Sequence, residues 1–486
     1  MGSALGCAAP PVSSRAPPAP AAQSTAATAT TASPTTAATG SDALHYTIAV
    51  DGDVAVFDVT VCAERALPAR LRGGDPRAAR AVRDARAVLD EGERALSFDE
   101  GEIVVGQGVR CARFRVDALD AALRELSPSF ADRVGRDLVL NPDLFLWRGA
   151  AIPSSTGSAR FLVADGVRVS TPWPRLDDGY AIGRSAYTML GRVVVGRGFE
   201  QIEVPVPGGA LDAVVLKGPL APDVETVRTF LSLAGGAVAE AWGHFPRARA
   251  QVTLTPVPAR GVPFGMVVRG GGPGVHLLVG VHGSARDLAE DWVPVHELSH
   301  LLTPALDPDD AWFGEGIATW YQNVLRVRAG LLDEGEAWRS LKDGLDRGER
   351  ADDGHTLAES SRRMRREHNY TRVYWGGTAF ALLADVALRT RANSSLDDAL
   401  RSLSDCCLVK ERHHRARELV EHMEAALGTD FLRALHDDVT STTGFPDVDA
   451  ALSSLGIDGA RRGDAWDDAP EKAALRAAIM RPRAPR

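Results

Sequence analysis

Residues 296 to 300 read His-Glu-Leu-Ser-His, and this segment constrains the fold more than any other part of the chain. It lies within residues 288–302, a stretch without glycine whose one proline, Pro294, suits the first turn of a helix. Residues four apart on a helix share a face, with Cβ atoms about 5–6 Å apart. His296 and His300 can therefore reach one zinc ion, and we predict that both are metal ligands.

Two glutamates complete the predicted site. Glu297 lies one step round the helix, where it can contact metal-bound water without binding the metal, so we predict that it is the general base. Glu315 follows His300 after fourteen residues, at the start of a second helix and between aromatic and glycine neighbours. Catalytic zinc binds nitrogens and a carboxylate and leaves one place for water, so Glu315 is the predicted third ligand. Thr319, one turn later, either supports a ligand or is simply packed.

The pattern HExxH followed by W-x-x-E-G-x-A-x-x-Y resembles the gluzincin (peptidase-MA-like) zinc metallopeptidases. This group includes thermolysin-like enzymes, aminopeptidase N relatives and glycyl aminopeptidase-like proteins. Residues 373–383 are similar to the family's Y-x-K-G helix, and residues 396–400 are similar to the segment that follows it. The resemblance is closest over residues 222–460. It implies Zn²⁺ as the cofactor and Tyr374 as the residue that stabilises the oxyanion, with Tyr370 as second choice.

Three features depart from the family pattern. The spacing from His300 to Glu315 is shorter than in the best-known members, and Gly376 replaces the lysine of Y-x-K-G. Residues 265–269, Gly-Met-Val-Val-Arg, contain no glutamate, whereas the family's G-x-M-E-N element uses one to bind a free amino end. These departures affect aminopeptidase specificity more than the metal site.

The N-terminal half shows the alternation that is typical of β-strands. Apolar residues alternate on both sides of Asp51-Gly52-Asp53, which predicts a hairpin with its turn there. Short apolar runs bounded by Gly, Pro and Asp recur further along, at residues 103–105, 112–116, 138–140, 161–163, 193–195 and 202–206. We therefore predict a β-sandwich-like domain over residues 44–210.

The C-terminal half is predicted to be mainly helical around a small sheet. Residues 222–245 have a helical apolar stripe that starts at Pro222-Asp223. Strands are predicted at 252–254, 265–268 and 275–279, and the glycine-rich residues 270–274 join the last two as a hairpin. One of these two strands either lines the cleft and pairs with an extended peptide, or is a plain structural hairpin.

The predicted fold is thus α+β and multidomain. An Ala/Pro/Thr-rich disordered tether covers residues 1–43, and the β-rich domain covers 44–210. A thermolysin-like zincin catalytic domain with a small mixed sheet plus helices follows over 211–390, and a helical C-terminal region over 391–486.

Charge and composition limit the partners. With 45% hydrophobic residues, 24% charged residues and a net charge of −9, the chain is typical of globular proteins and unlike nucleic-acid binders. No stretch has the length of apolar sequence that a membrane span requires. Ala4-Leu5-Gly6-Cys7 resembles the end of a lipoprotein signal, although no apolar region precedes it. We expect the protein to lie in the cell envelope, with a lipid anchor at Cys7, or to be secreted. A cytoplasmic location is the alternative.

Further cysteines and histidines leave alternatives open. Cys62 and Cys111 lie in strand-like segments and form a disulfide if the protein is exported; otherwise they are small buried residues. The pair at 406 and 407 has no spacing that suggests a metal or redox role. His276 and His282 either approach substrate from one strand face or, as we favour, lie at the surface. His413-His414, between arginines, is interpreted as a solvated helix face.

These observations predict a zinc metallopeptidase that acts on a peptide or protein substrate. Two alternatives remain. One is a catalytically silent pseudo-peptidase that binds peptides or envelope proteins, and the intact Glu297 argues against it. The other is a zinc hydrolase with a non-peptide substrate, because relatives of this site include an epoxide hydrolase. Oligomeric state does not follow from the sequence.

Overall fold

The computed structural model describes residues 42–124, 130–218, 222–457 and 466–481. Cys7 and the predicted tether, apart from Asp42 and Ala43, lie outside these residues. Among the described residues, no helix combines the length and the apolar character needed to cross a membrane.

Residues 42–124 and 130–196 form a β-rich unit in which the structure describes two short helices, α1 (Ala118–Arg124) and α2 (Ser185–Thr188). Its strands are β1 Leu44–Val50, β2 Val56–Ala63, β3 Arg70–Leu71, β4 Val82–Leu89, β5 Gly92–Ala95, β6 Ser97–Asp99, β7 Glu102–Val104, β8 Cys111–Asp117, β9 Ala131–Val134, β10 Asp137–Leu140, β11 Gly157–Val163, β12 Arg168–Ser170, β13 Arg175–Leu176, β14 Gly179–Ile182 and β15 Val193–Gly196.

These strands form three sheets. The largest has the order β13-β14-β11-β1-β2-β8-β4-β5, and the others are β12-β15-β10-β9 and β3-β7-β6. The predicted hairpin is present, since Val50 pairs with Phe57 across the turn. Cys62 and Cys111 occupy directly opposite positions on β2 and β8 and form a disulfide. The β-rich N-terminal domain is therefore confirmed.

The second half is built on a five-stranded mixed sheet with the order β16-β17-β18-β20-β19. Its strands are β16 Glu200–Val206, β17 Gly209–Val215, β18 Arg249–Val257, β19 Phe264–Val268 and β20 Gly274–Gly280. β17, β18 and β20 are parallel, and β16 and β19 are antiparallel edges. The predicted hairpin around the glycine-rich turn is confirmed as β19–β20. The predicted domain boundary at residues 210 and 211 falls inside β17, and the sheet itself begins at Glu200.

Helices surround this sheet and continue to the end of the described chain. They are α3 Val224–Ala239, α4 Ala285–Ala289, α5 Val293–Ser299, α6 Ala311–Arg328, α7 Glu334–Arg350, α8 Leu357–Glu367, α9 Tyr370–Arg391, α10 Leu396–Arg401, α11 Leu403–Cys406, α12 Ala416–Leu427, α13 Leu432–Ser441, α14 Asp449–Ser454 and α15 Pro470–Met480. The predicted α+β fold class is confirmed.

Two helices are shorter than predicted. Asp223 caps α3 by accepting a hydrogen bond from the Thr226 amide at 2.9 Å, as its sequence position suggests. The helix then ends at Ala239, because the next three amides bond to carbonyls three residues back and Gly243, with φ of 79°, turns the chain. The predicted helix over residues 288–302 is divided into the end of α4, then α5, then a 3₁₀ turn at His300–Leu302.

One apolar core joins the five-stranded sheet to the helices around it. α6 and α9 cross at very short range, since a Cβ built on Gly316 would lie 2.2 Å from the carbonyl carbon of Gly377. Glycine at both positions therefore lets the two helices touch through their backbones. A small separate cluster, made of Val139, Val194, Phe199, Val214 and Leu216, packs the β-rich unit against the sheet.

Candidate metal centre

His296 and His300 lie on consecutive turns and face the same space. His296 belongs to α5 and His300 begins the 3₁₀ turn that follows it. Their side chains are buried, and the ring centroids are 5.0 Å apart with the planes nearly perpendicular. Pro294 is in the first turn of α5, as predicted. The four-residue spacing thus places two imidazoles next to each other.

Glu315 joins the two histidines from the first turns of α6. Its Oε2 lies 3.4 Å from His296 Nε2 and 3.5 Å from His300 Nε2. The three potential ligand atoms all lie within 4.8 Å of one another. The short sequence spacing is possible because the chain returns through two 3₁₀ turns, His300–Leu302 and Pro308–Asp310. Two nitrogens and one carboxylate oxygen at this separation fit a catalytic zinc site.

Gln322 supports the centre and was not predicted from the sequence. Its Oε1 lies 2.8 Å from His296 Nδ1, so Nδ1 carries the proton and Nε2 keeps its lone pair for a metal. Gln322 is two turns after Glu315 on the same face of α6, and that spacing was the available signal. Thr319, the predicted candidate for this role, is buried, and its hydroxyl has no hydrogen-bond partner among the described residues.

Glu297 is buried beside the three candidate ligands and next to the edge strand β19. A Cβ built on Gly265 of β19 would lie 2.4 Å from Glu297 Cγ. Burial raises the pKa of the Glu297 carboxyl, although the charges of His296 and His300 oppose this. Burial also acts to raise the pKa of Glu315, but His300 and His296 hold that pKa far below its ordinary range. The two carboxyl groups therefore differ in character, as a ligand and a base should.

Tyr374 lies on α9 next to the histidines. Its ring stacks on that of His296, with centroids 6.2 Å apart and planes 13° from parallel. Tyr370 is one turn earlier, and its ring meets Tyr374 edge-on at 6.3 Å. The close approach of α6 and α9 through Gly316 and Gly377 brings α9 near enough for this contact. Tyr374 is therefore the tyrosine that contacts the candidate metal ligands.

β19 forms one wall of the site. It ends the strand order, so its outer backbone edge faces no other strand among the residues described, whereas β20 lies between β18 and β19. Of the two strands considered from the sequence, β19 is thus the one available to an extended peptide. Arg269, directly after β19, donates from Nη2 to the His300 carbonyl oxygen at 2.6 Å and fixes the end of the strand to the segment that carries the two histidines.

Two interpretations of other histidines were wrong. His276 is buried and not at the surface. Its Nδ1 accepts a hydrogen bond from Arg192 Nε at 3.3 Å, and its Nε2 lies 2.9 Å from the Thr255 hydroxyl. His282 is exposed, as favoured. His414 is fully buried and lies before α12, so it is not part of a solvated helix face. It forms an isolated β-bridge with Leu306. The structure also joins the adjacent cysteines 406 and 407 in a disulfide.

Comparisons with known proteins give structural matches. No protein-family model matches the sequence, and no curated protein matches it. An aminopeptidase N family protein from Idiomarina loihiensis matches with a TM-score of 0.65 and 15% identity, over 85% of this chain and 78% of that one. An M1 zinc metallopeptidase from Deinococcus radiodurans matches with a TM-score of 0.47 and 15% identity, over 83% and 93%.

A variant of the Deinococcus radiodurans metallopeptidase, bound to a Tyr-Ser-Ala substrate, also matches with a TM-score of 0.47. Its sequence identity is 17%, and the match covers 83% of this chain and 94% of that one. The first of these matches carries the comparison, because its TM-score of 0.65 is well above the 0.47 of the other two. The chain therefore shares the fold of this aminopeptidase N family protein.

Proposed function

We propose that this protein is a zinc-dependent metallopeptidase. One observation carries the proposal: a buried carboxylate, Glu297, lies beside a cluster of two imidazole nitrogens and one carboxylate oxygen. A purely structural zinc site has four protein ligands and needs no base, whereas a catalytic one has three ligands and a free position. The fold supports the same assignment.

The residues divide the chemistry among them. His296, His300 and Glu315 would hold zinc, which when bound supplies Lewis-acid chemistry that makes water more acidic and polarises a carbonyl. Glu297 accepts the proton of the attacking water and delivers it to the leaving amine nitrogen as the peptide C–N bond breaks. Tyr374 donates a hydrogen bond to the oxyanion.

Binding of the substrate is assigned to β19. An extended peptide can add to its open edge through backbone hydrogen bonds, which give affinity with little dependence on side chains. Gly265 brings this edge into contact with Glu297, so a peptide bond lying on the strand would be close to the base. Such a surface requires no free amino end.

The test is a combined measurement of zinc content and peptide cleavage. The purified protein is expected to contain one zinc ion and to cleave peptides from a mixed library, including peptides with blocked amino ends. Glu297→Gln should retain zinc and lose cleavage, while Glu290→Gln, a change in an exposed surface pair with Arg286, should alter neither. Zinc without cleavage in the wild type would favour a peptide-binding module or a non-peptide substrate. Absence of zinc would contradict the proposal.

A further inference from the structure

A cavity of about 310 Å³ lies between the two halves of the protein, close to the candidate metal centre. We call it the arginine cavity, because Arg247 and Arg269 both line it. Three other parts of the chain complete its walls. Met189 lines it from the β-rich unit, Ala305 from the segment after the 3₁₀ turn at His300–Leu302, and Lys410 from the loop before α12. The volume is several times that of a water molecule, about 30 Å³ in the liquid.

Both arginines are partly buried. Burial lowers the pKa of Arg247 to about 10. Arginine side chains stay charged at neutral pH, so two positive charges line one partly buried cavity. Buried charges in proteins are ordinarily paired or bound to an ion.

Their hydrogen bonds leave most donors unused. Arg269 Nη2 donates to the His300 carbonyl oxygen at 2.6 Å, and Arg247 Nη1 donates to the Leu408 carbonyl oxygen at 2.8 Å. Each guanidinium has five N–H groups. Arg247 Nε is buried with no hydrogen-bond partner in the described part of the chain. Both arginines thus have donors to spare for an additional acceptor.

Neither arginine forms an ion pair within 4.0 Å with an acidic side chain of the described residues. Glu411 lines the same cavity, but its Oε2 accepts a hydrogen bond from the Ser185 amide at 3.0 Å. Guanidinium groups bind carboxylates and phosphates through paired N–H donors, so the spare donors of the two arginines suit an oxyanion.

We propose that the arginine cavity is a binding site for an oxyanion, next to the candidate metal centre. Two sources share this chemistry. One is a carboxylate of the substrate, either an acidic side chain or the terminal group, which would make the protein selective for peptides with a negative charge at a fixed place. The other is a free inorganic anion. Arg269 directly follows β19, so a peptide on that strand passes close to the cavity; this first source rests on the proposed function.

The first experiment measures binding and does not depend on activity. Calorimetric titration of the purified full chain with inorganic phosphate, at constant ionic strength, should show saturable binding that Arg247→Gln weakens at least tenfold. Arg228→Gln is the matched control, because Arg228 also donates to a backbone carbonyl at 2.8 Å but is exposed beside Glu225. Binding should persist after zinc is removed by chelation, which separates this site from the metal. The proposal would be overturned if phosphate showed no saturable binding. It would also be overturned if removal of zinc abolished the binding while Arg247→Gln left it unchanged.

The second experiment identifies the source. Peptides that carry Glu or Gln at each position in turn, with free or amidated carboxyl ends, are compared by kcat/KM in the wild type and in Arg247→Gln. A preference of tenfold or more for one negative charge, lost in the variant, assigns the site to the substrate. Phosphate binding with no such preference assigns it to a free anion. Arg269→Gln should repeat either result; if it fails to fold because the bond to His300 is lost, Arg247→Gln decides alone.

Discussion

The backbone of Gly265 touches the side chain of Glu297: a Cβ at residue 265 would lie 2.4 Å from Glu297 Cγ and 2.9 Å from Oε1. Contacts of this length are essentially absent from real proteins, so any larger residue at this position must displace the strand or the glutamate. The edge of the sheet and the proposed base are therefore positioned by one shared contact, which only glycine permits.

Gly265→Ala is accordingly expected to lower kcat by about 100-fold, the usual cost of displacing a reacting group by roughly 1 Å. Zinc content should not change, since His296, His300 and Glu315 are not in this contact. Gly236→Ala is the control: Gly236 lies in α3 with nothing within 4 Å of a new Cβ, and alanine in a helix stabilises by about 0.5–1 kcal/mol. An unimpaired Gly265→Ala enzyme would show that the contact does not position the base.

Gln322 offers a test of the metal centre itself. Gln322→Leu removes the acceptor at 2.8 Å from His296 Nδ1, so the ring loses the bond that fixes its tautomer and orientation. We expect zinc affinity to fall about 10–100-fold, measured by competition with a chromogenic chelator. Gln322→Glu retains an oxygen acceptor and should bind zinc nearly as well as the wild type. Equal affinity of the leucine variant and the wild type would contradict this role.

Three residues of the candidate centre could be predicted from the sequence, because their relative positions depend only on local helical structure. His296, Glu297 and His300 are fixed relative to one another by the helical repeat, and the structure brings the two imidazoles together as that repeat requires. Glu315 was predicted from its distance after His300 and its aromatic and glycine neighbours, but its placement depends on how two 3₁₀ turns return the chain. Gln322 has only the weaker signal of its two-turn spacing from Glu315 on α6, since a glutamine on a helix is ordinary unless the partner of its side chain is known.

Long-range contacts explain the errors. His276 was expected at the surface, yet the side chain of Arg192, 84 residues earlier, contacts it. His414 lies among charged residues in sequence, and its burial depends on bridging to Leu306, more than 100 residues away. The period-two pattern and the short apolar runs predicted about half of the strands up to β16. They could not show that β16 joins the second sheet, because pairing partners are not encoded in periodicity.

His276 predicts a loss of stability in acid. Burial, with a smaller contribution from the charge of Arg192, lowers its pKa from 6.5 to about 3. Between these values the unfolded chain binds a proton that the folded protein does not. The free energy of unfolding therefore falls as the pH drops below 6.5, by up to about 1.4 kcal/mol per pH unit from this group. Urea denaturation at pH 7, 6 and 5 measures the slope.

The matching variant is His276→Asn, which removes the titrating group but keeps a polar side chain between Arg192 and Thr255. Its stability should decline less steeply with acid than that of the wild type. His282→Asn, at an exposed position, should follow the wild-type curve. If both variants follow that curve, His276 does not cause the acid sensitivity.

Tyr374 and Tyr370 provide a matched pair for the oxyanion role. Tyr374 stacks on the ring of His296, while Tyr370 contacts Tyr374 and lies one turn further from the ligands. Removing one oxyanion donor typically lowers kcat by about 10²–10³. Tyr374→Phe is expected to show a loss of this size with zinc affinity unchanged, because the hydroxyl is not among the three candidate ligand atoms. Tyr370→Phe should stay within a few-fold of the wild type, so a larger loss in that variant would transfer the role to Tyr370.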